Sequence, residues 1–60
     1  MGIKPGRIIE LGDSLLGQHP STFSEDFETN KELVQKLTEV ESQKVRNRVA
    51  GYITRQLRGQ

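Results

Sequence analysis

The sequence predicts an all-α protein, a compact three-helix bundle, on three observations. Three segments repeat apolar residues at helical spacing, each is bounded by residues that start or stop helices, and no stretch alternates apolar with polar residues as a strand does. The short connectors suit helices that pack as neighbours, so residues 1–60 make a single helical domain. With 60 residues and 32% apolar side chains, nearly every large apolar residue has to point inward for such a domain to fold.

The first helix is expected from Pro5 to Leu16. Ile8, Leu11 and Leu15 form one stripe, with Ile9, Gly12 and Leu16 beside it. Pro5 suits a first turn, where no backbone N–H is needed; Gly17 suits the stop, and Pro20 lies beyond it. A polar connector from Gln18 to Glu28 carries Phe23 and Phe27, four residues apart. That spacing leaves room for a short extra helical turn between the first and second main helices, with both rings aimed at the core.

The second helix is expected to start at Thr29, because Thr29-Asn30-Lys31-Glu32 has the form of a capping box. Leu33, Leu37 and Val40 give its apolar stripe, with Val34 alongside. The third helix is expected from an N-cap at Ser42 to about Arg58, with Gly59 ending it. On a helical wheel Val45, Val49, Tyr52, Ile53 and Leu57 gather as its core side, with Ala50 at the edge.

The opposite side of that helix carries the most informative pattern in the chain. Up to Gln43 the sequence holds eight carboxylates against four basic side chains; from Lys44 onward it holds five basic side chains and no carboxylate. The formal net charge of +1 therefore conceals a basic C-terminal segment. Lys44, Arg48, Gly51, Arg55 and Arg58 fall within an arc of about 80° and form a ridge along the helix. A solvated charged face is the ordinary explanation of such a ridge. Against it, no Asp or Glu stands four residues away within the helix, and the helix dipole favours only the cations of the last turn, Arg55 and Arg58. The pattern fits phosphate binding driven by counterion release. Gly51 lets either a phosphate backbone or another helix approach closely. Asn47, next to the ridge, can donate to a phosphate or a 2′-hydroxyl. Arg46 falls at the edge of the apolar side and reads as a structural arginine paired with Glu25 or Asp26.

Other chemistries are disfavoured. There is no cysteine, so disulfides and thiol chemistry are excluded. Apolar residues never run more than two in a row, which excludes a membrane span or a signal-peptide core among these residues. Gly12-Asp13-Ser14-Leu15 resembles the nucleophile block of GDSL esterases, but the only histidine, His19, sits in a Pro-flanked turn without an orienting aspartate. Glu25, Asp26 and Glu28 lack the spacing of a calcium loop, and no glycine-rich phosphate loop exists. No enzyme, metal, cofactor or small-molecule substrate is expected.

Two blocks carry a family resemblance. Residues 40–55, V-E-S-Q-K-V-R-N-R-V-A-G-Y-I-T-R, resemble the signature of small-ribosomal-subunit protein seventeen of the archaeal and eukaryotic type. Residues 23–31, F-S-E-D-F-E-T-N-K, are similar to the same family's F-x-x-D-F-x-x-N-K segment. The resemblance covers nearly the whole chain, and the short length is similar to the archaeal form. It implies a helical protein of the cytoplasmic ribosome, bound to small-subunit ribosomal RNA beside neighbouring ribosomal proteins and monomeric off the ribosome. It places Lys44, Asn47, Arg48, Gly51 and Arg55 in the most characteristic block, and Asn30 and Lys31 in the second, at a helix N-terminus able to receive a phosphate. The family's start is richer in basic residues; here Lys4 and Arg7 supply them, so the electrostatic weight falls on the third helix. A helix-turn-helix-like DNA-binding domain and a helical protein-interaction module remain the alternatives.

Overall fold

The computed structural model describes residues 5–38 and 42–59 and shows three helices: α1 (Pro5–Gln18), α2 (Phe27–Leu37) and α3 (Gln43–Arg58). Both α1 and α2 pack on α3, which is the spine of the bundle. Ile8 and Leu15 of α1, Phe23 of the connector, Val34 of α2, and Val49, Ala50 and Ile53 of α3 close the core. Among the described residues no helix is long and apolar enough to cross a membrane, and no cluster of His, Asp or Glu side chains could hold a metal ion.

Helix α1 starts at Pro5, as its pyrrolidine ring favours, but it continues through Gly17 to Gln18. No described residue takes a positive φ, so Gly17 does not form the left-handed stop that its type suggests. Pro20 does the stopping. The His19 N–H closes the last turn on the Leu15 carbonyl at 2.9 Å, and the Thr22 N–H reaches the His19 carbonyl at 3.3 Å across a turn with Pro20 at its second position.

Helix α2 begins two residues earlier than the Thr29 box implies. Asp26 is the N-cap: its Oδ1 accepts from the Glu28 N–H at 3.2 Å, and its Oδ2 accepts from the Thr29 hydroxyl at 2.6 Å. A carboxylate outcompetes a hydroxyl for this role because it accepts two bonds and favours the positive end of the helix dipole. The expected extra turn over residues 23–27 does not form, because the backbone at Asp26 is extended and Phe27 already belongs to α2. Only Phe23 is buried. Phe27 is 36% exposed.

The buried side of α2 also differs from the expected stripe. Val34 is fully buried, Leu33 is half-buried, and Leu37 is 39% exposed rather than central; Val40 lies outside the described residues. Asn30 takes the remaining inward position with 0% exposure. Its Nδ2 donates to the Ser24 carbonyl and to Thr54 Oγ1, each at 2.7 Å, while its Oδ1 accepts from the Ser24 N–H at 3.0 Å. Thr54 in turn donates to the Ala50 carbonyl at 2.8 Å. This satisfied polar cluster bolts the connector to α2 and α3, and its satisfaction is what makes burial of an amide tolerable.

Helix α3 has the expected bounds. The Ser42 hydroxyl accepts from the Val45 N–H at 3.4 Å, and the Gly59 N–H caps the Arg55 carbonyl. Its buried side is centred on Val49, Ala50, Ile53 and Thr54, so Ala50 lies in the middle of the contact and not at its edge. The seam with α1 is closed by Tyr52. A Cβ on Gly12 would collide with the Tyr52 ring, 2.7 Å from Cε2, so glycine lets the ring approach α1 this closely. The Tyr52 hydroxyl then donates to Asp13 Oδ1 at 2.7 Å. Gly12 and Asp13, the core of the esterase-like tetrapeptide, thus serve as a seat and an anchor for a tyrosine.

Candidate nucleic-acid interface

The side of α3 turned away from the core carries Lys44, Arg48, Arg55 and Arg58, all exposed, with half-buried Gly51 among them. Among the described residues none of these four cations forms an ion pair. Four of the chain's carboxylates are engaged elsewhere: Glu10 holds Arg7 at 3.4 Å, Glu28 holds Lys31 at 3.2 Å, Asp13 accepts from Tyr52, and Asp26 caps α2. Lys44 stands in the first turn of a helix that has no acidic residue there, facing the positive end of the dipole. Arg55 and Arg58 lie in the last turn, where the dipole favours them.

The ridge is not uniform along its length. Toward its C-terminal end it borders an open groove of about 540 Å³, lined by Phe27, Gly51, Thr54, Arg55, Arg58 and Gly59. The Phe27 ring forms one wall. Lys31 Nζ lies 5.6 Å from the centre of that ring, a cation–π contact that also presents the ammonium beside the groove. Gly51 has no steric reason within the chain: an added Cβ would meet only Phe27 Cε1, at an ordinary 3.9 Å. A mid-helix glycine lowers stability by about 1 kcal/mol relative to alanine, so here that loss leaves the groove unobstructed without easing any contact inside the protein.

The remaining candidates separate. Asn30 does not belong to a surface site: it is wholly buried, and its amide is consumed by Ser24 and Thr54. Its polarity suggested exposure, but the connector's backbone needed an internal partner. Asn47 is half-buried, and its Oδ1 is enclosed without a hydrogen bond, so it borders the ridge more than it projects from it. Arg7 is exposed on α1 with its Glu10 partner, and Lys4 lies outside the described residues. Arg46 is half-buried and engaged, and the Asp26 carboxylate is the α2 cap. Sequence reasoning missed Phe27 as a surface feature. The signal available was Asp26 directly before it, a stronger N-cap than Thr29, which would have placed Phe27 at the first, least enclosed turn of α2.

A family model described as Ribosomal S17 matches residues 7–59. The chain is 60% identical over 55 residues to Small ribosomal subunit protein eS17 of Haloquadratum walsbyi, covering 92% of this chain and 82% of that protein. It is 57% identical over 54 residues to the eS17 protein of Halorubrum lacusprofundi, covering 90% and 84% respectively. It is also 51% identical over 53 residues to that of Pyrobaculum neutrophilum, covering 88% and 75%.

Proposed function

This chain belongs to the Ribosomal S17 family, and we propose that, as a structural and non-enzymatic constituent of the small subunit of the cytoplasmic ribosome, it holds ribosomal RNA through the outer face of α3. The observation that carries this reading is the set of four exposed cations, Lys44, Arg48, Arg55 and Arg58, without ion-pair partners among the described residues. A like-charged ridge along one helix is self-repelling, and Lys44 is further disfavoured by the dipole. A polyanion removes both penalties and releases counterions on binding. RNA fits the geometry, because a row of phosphates and 2′-hydroxyls across a shallow minor groove can be followed by a convex helix face without entry into the narrow major groove. Gly51 permits close approach at the middle of the row, and Asn47 and Lys31 flank it. Lys4 and Arg7 add charge from the first segment, and the other faces of the bundle remain for protein neighbours.

The test is charge reversal. Replacing Lys44, Arg48 and Arg55 together with Glu should weaken binding to small-subunit RNA. It should also reduce the slope of log affinity against log salt by about 0.7–0.9 for each phosphate that the variant no longer neutralises. The helical circular-dichroism signal should be retained, since none of the three contributes to the core. Unchanged affinity and salt slope would leave the ridge a merely solvated face.

A further inference from the structure

We infer that the groove lined by Phe27, Gly51, Arg55 and Arg58 takes an unpaired, extruded RNA base, stacked on the exposed side of the Phe27 ring, with the phosphates on either side of it held by Arg55 and Arg58. The inference rests on the RNA reading above and goes further: it gives the ridge a recognition element that phosphate contacts alone do not provide.

Four observations converge on it. First, Phe27 is 36% exposed although this chain has only two phenylalanines and few apolar residues to spare for its core. Second, the backbone that carries the ring is held in place. Asp26 caps α2 directly before it, and the Asn30 cluster fixes the connector that delivers it, so the platform exists before any partner arrives. Third, the groove floor is a glycine that nothing in the chain requires, and it lies on the same helical face as the cations. Fourth, cations stand near the ring: Arg55 and Arg58 line the groove, and Lys31, paired with Glu28, lies over Phe27 outside the groove lining. An aromatic face among arginines and a lysine is the combination that binds single-stranded nucleotides, the ring taking the base and the cations taking its backbone. An apolar protein segment would use the ring but would leave the arginines without counter-charge. A paired RNA helix would use the arginines but offers no base face to the ring.

The experiment compares two RNA hairpins with the intact chain: one fully paired, the other identical except for a single bulged 2-aminopurine. The bulged hairpin should bind about tenfold more tightly, the scale of one base–aromatic stack, and the 2-aminopurine fluorescence should change on binding. Phe27→Ala should abolish the preference while leaving affinity for the paired hairpin unchanged; Phe27→Tyr should keep it. Gly51→Leu should also abolish it by filling the groove, in a variant whose helix is if anything firmer. If the two hairpins bind equally but with the salt dependence of the ridge, the base pocket is refuted and the RNA surface stands. If neither hairpin binds with that salt dependence, both readings fall. If Phe27→Ala impairs incorporation into the small subunit without altering either affinity, the groove belongs to a protein neighbour, and the base pocket is refuted by that result as well.

Discussion

The two seams of this bundle use the same two ingredients to opposite ends. Each sets a glycine of one helix against an aromatic ring of the other. Between α1 and α3 the ring of Tyr52 lies on Gly12 so closely that no side chain could stand there, and its hydroxyl is tied to Asp13. Between α2 and α3 the ring of Phe27 faces Gly51 at an ordinary distance, with 3.9 Å from Cε1 to the place of an absent Cβ. The first pair is a closed joint with no room for a side chain, and the second is a looser contact that borders an open groove. What separates them is the far end of the ring: tyrosine has a hydroxyl to anchor across the seam, whereas phenylalanine has none and is held only by its backbone at the head of α2. A glycine facing an aromatic is therefore packing or access according to whether the ring is tethered.

The comparison is most severely broken by Asn30→Ala. It leaves the Ser24 backbone groups and Thr54 Oγ1 without their partner, and a loss of about 3 kcal/mol is expected in urea unfolding. It also frees the connector, so in a chain that still folds the preference for the bulged hairpin should fall as well. Gly12→Val comes next. The added methyls meet the Tyr52 ring, and overpacking at a closed joint costs about 2 kcal/mol despite the gain in helix propensity. Gly51→Ala should have the opposite sign. With ordinary contact at 3.9 Å, propensity wins, and stability should rise by about 0.5–1 kcal/mol in the same assay. Opposite signs at two mid-helix glycines would sharpen the distinction; equal signs would erase it.

The smallest expected effect is a pH dependence at the closed joint. The hydrogen bond to the Asp13 carboxylate, with lesser contributions from desolvation and from repulsion by that carboxylate, raises the Tyr52 pKa above its ordinary value of 10.0. A group whose pKa is raised in the folded state contributes stability that is present below the unfolded pKa and is lost as pH rises through the folded one. Thermal unfolding followed from about pH 8 to 11 should thus show a decline above about pH 10 that Tyr52→Phe flattens.

Much of this was legible in the sequence, and the failures share one cause. The three helices follow from apolar spacing, and α3 follows closely because Ser42, the long stripe and Gly59 agree with one another. The basic face was equally plain, because charge and periodicity are both local properties. The start of α2 was not, since two capping residues competed and the geometry of Asp26 decided between them. Phe27 and Asn30 also exchange their expected places: the aromatic expected inside is at the surface, and the amide expected at the surface is inside. Hydropathy assigns an asparagine outward by default. It carries no information about a connector whose backbone at Ser24 must find partners within the fold, or about Thr54 waiting across a helix interface. The tie between Tyr52 and Asp13, separated by 39 positions, was invisible for the same reason.

Because α1 and α2 both lean on α3, the helix that faces outward with its charge is also the member on which the other two depend. Anything that grips α3 therefore secures the entire molecule by mass action. At a hundred times its dissociation constant such a ligand contributes about 2.7 kcal/mol to the folded state, a large increment for a chain of 60 residues. On the RNA reading proposed above, assembly into the particle and the stability of the fold are coupled through this one element.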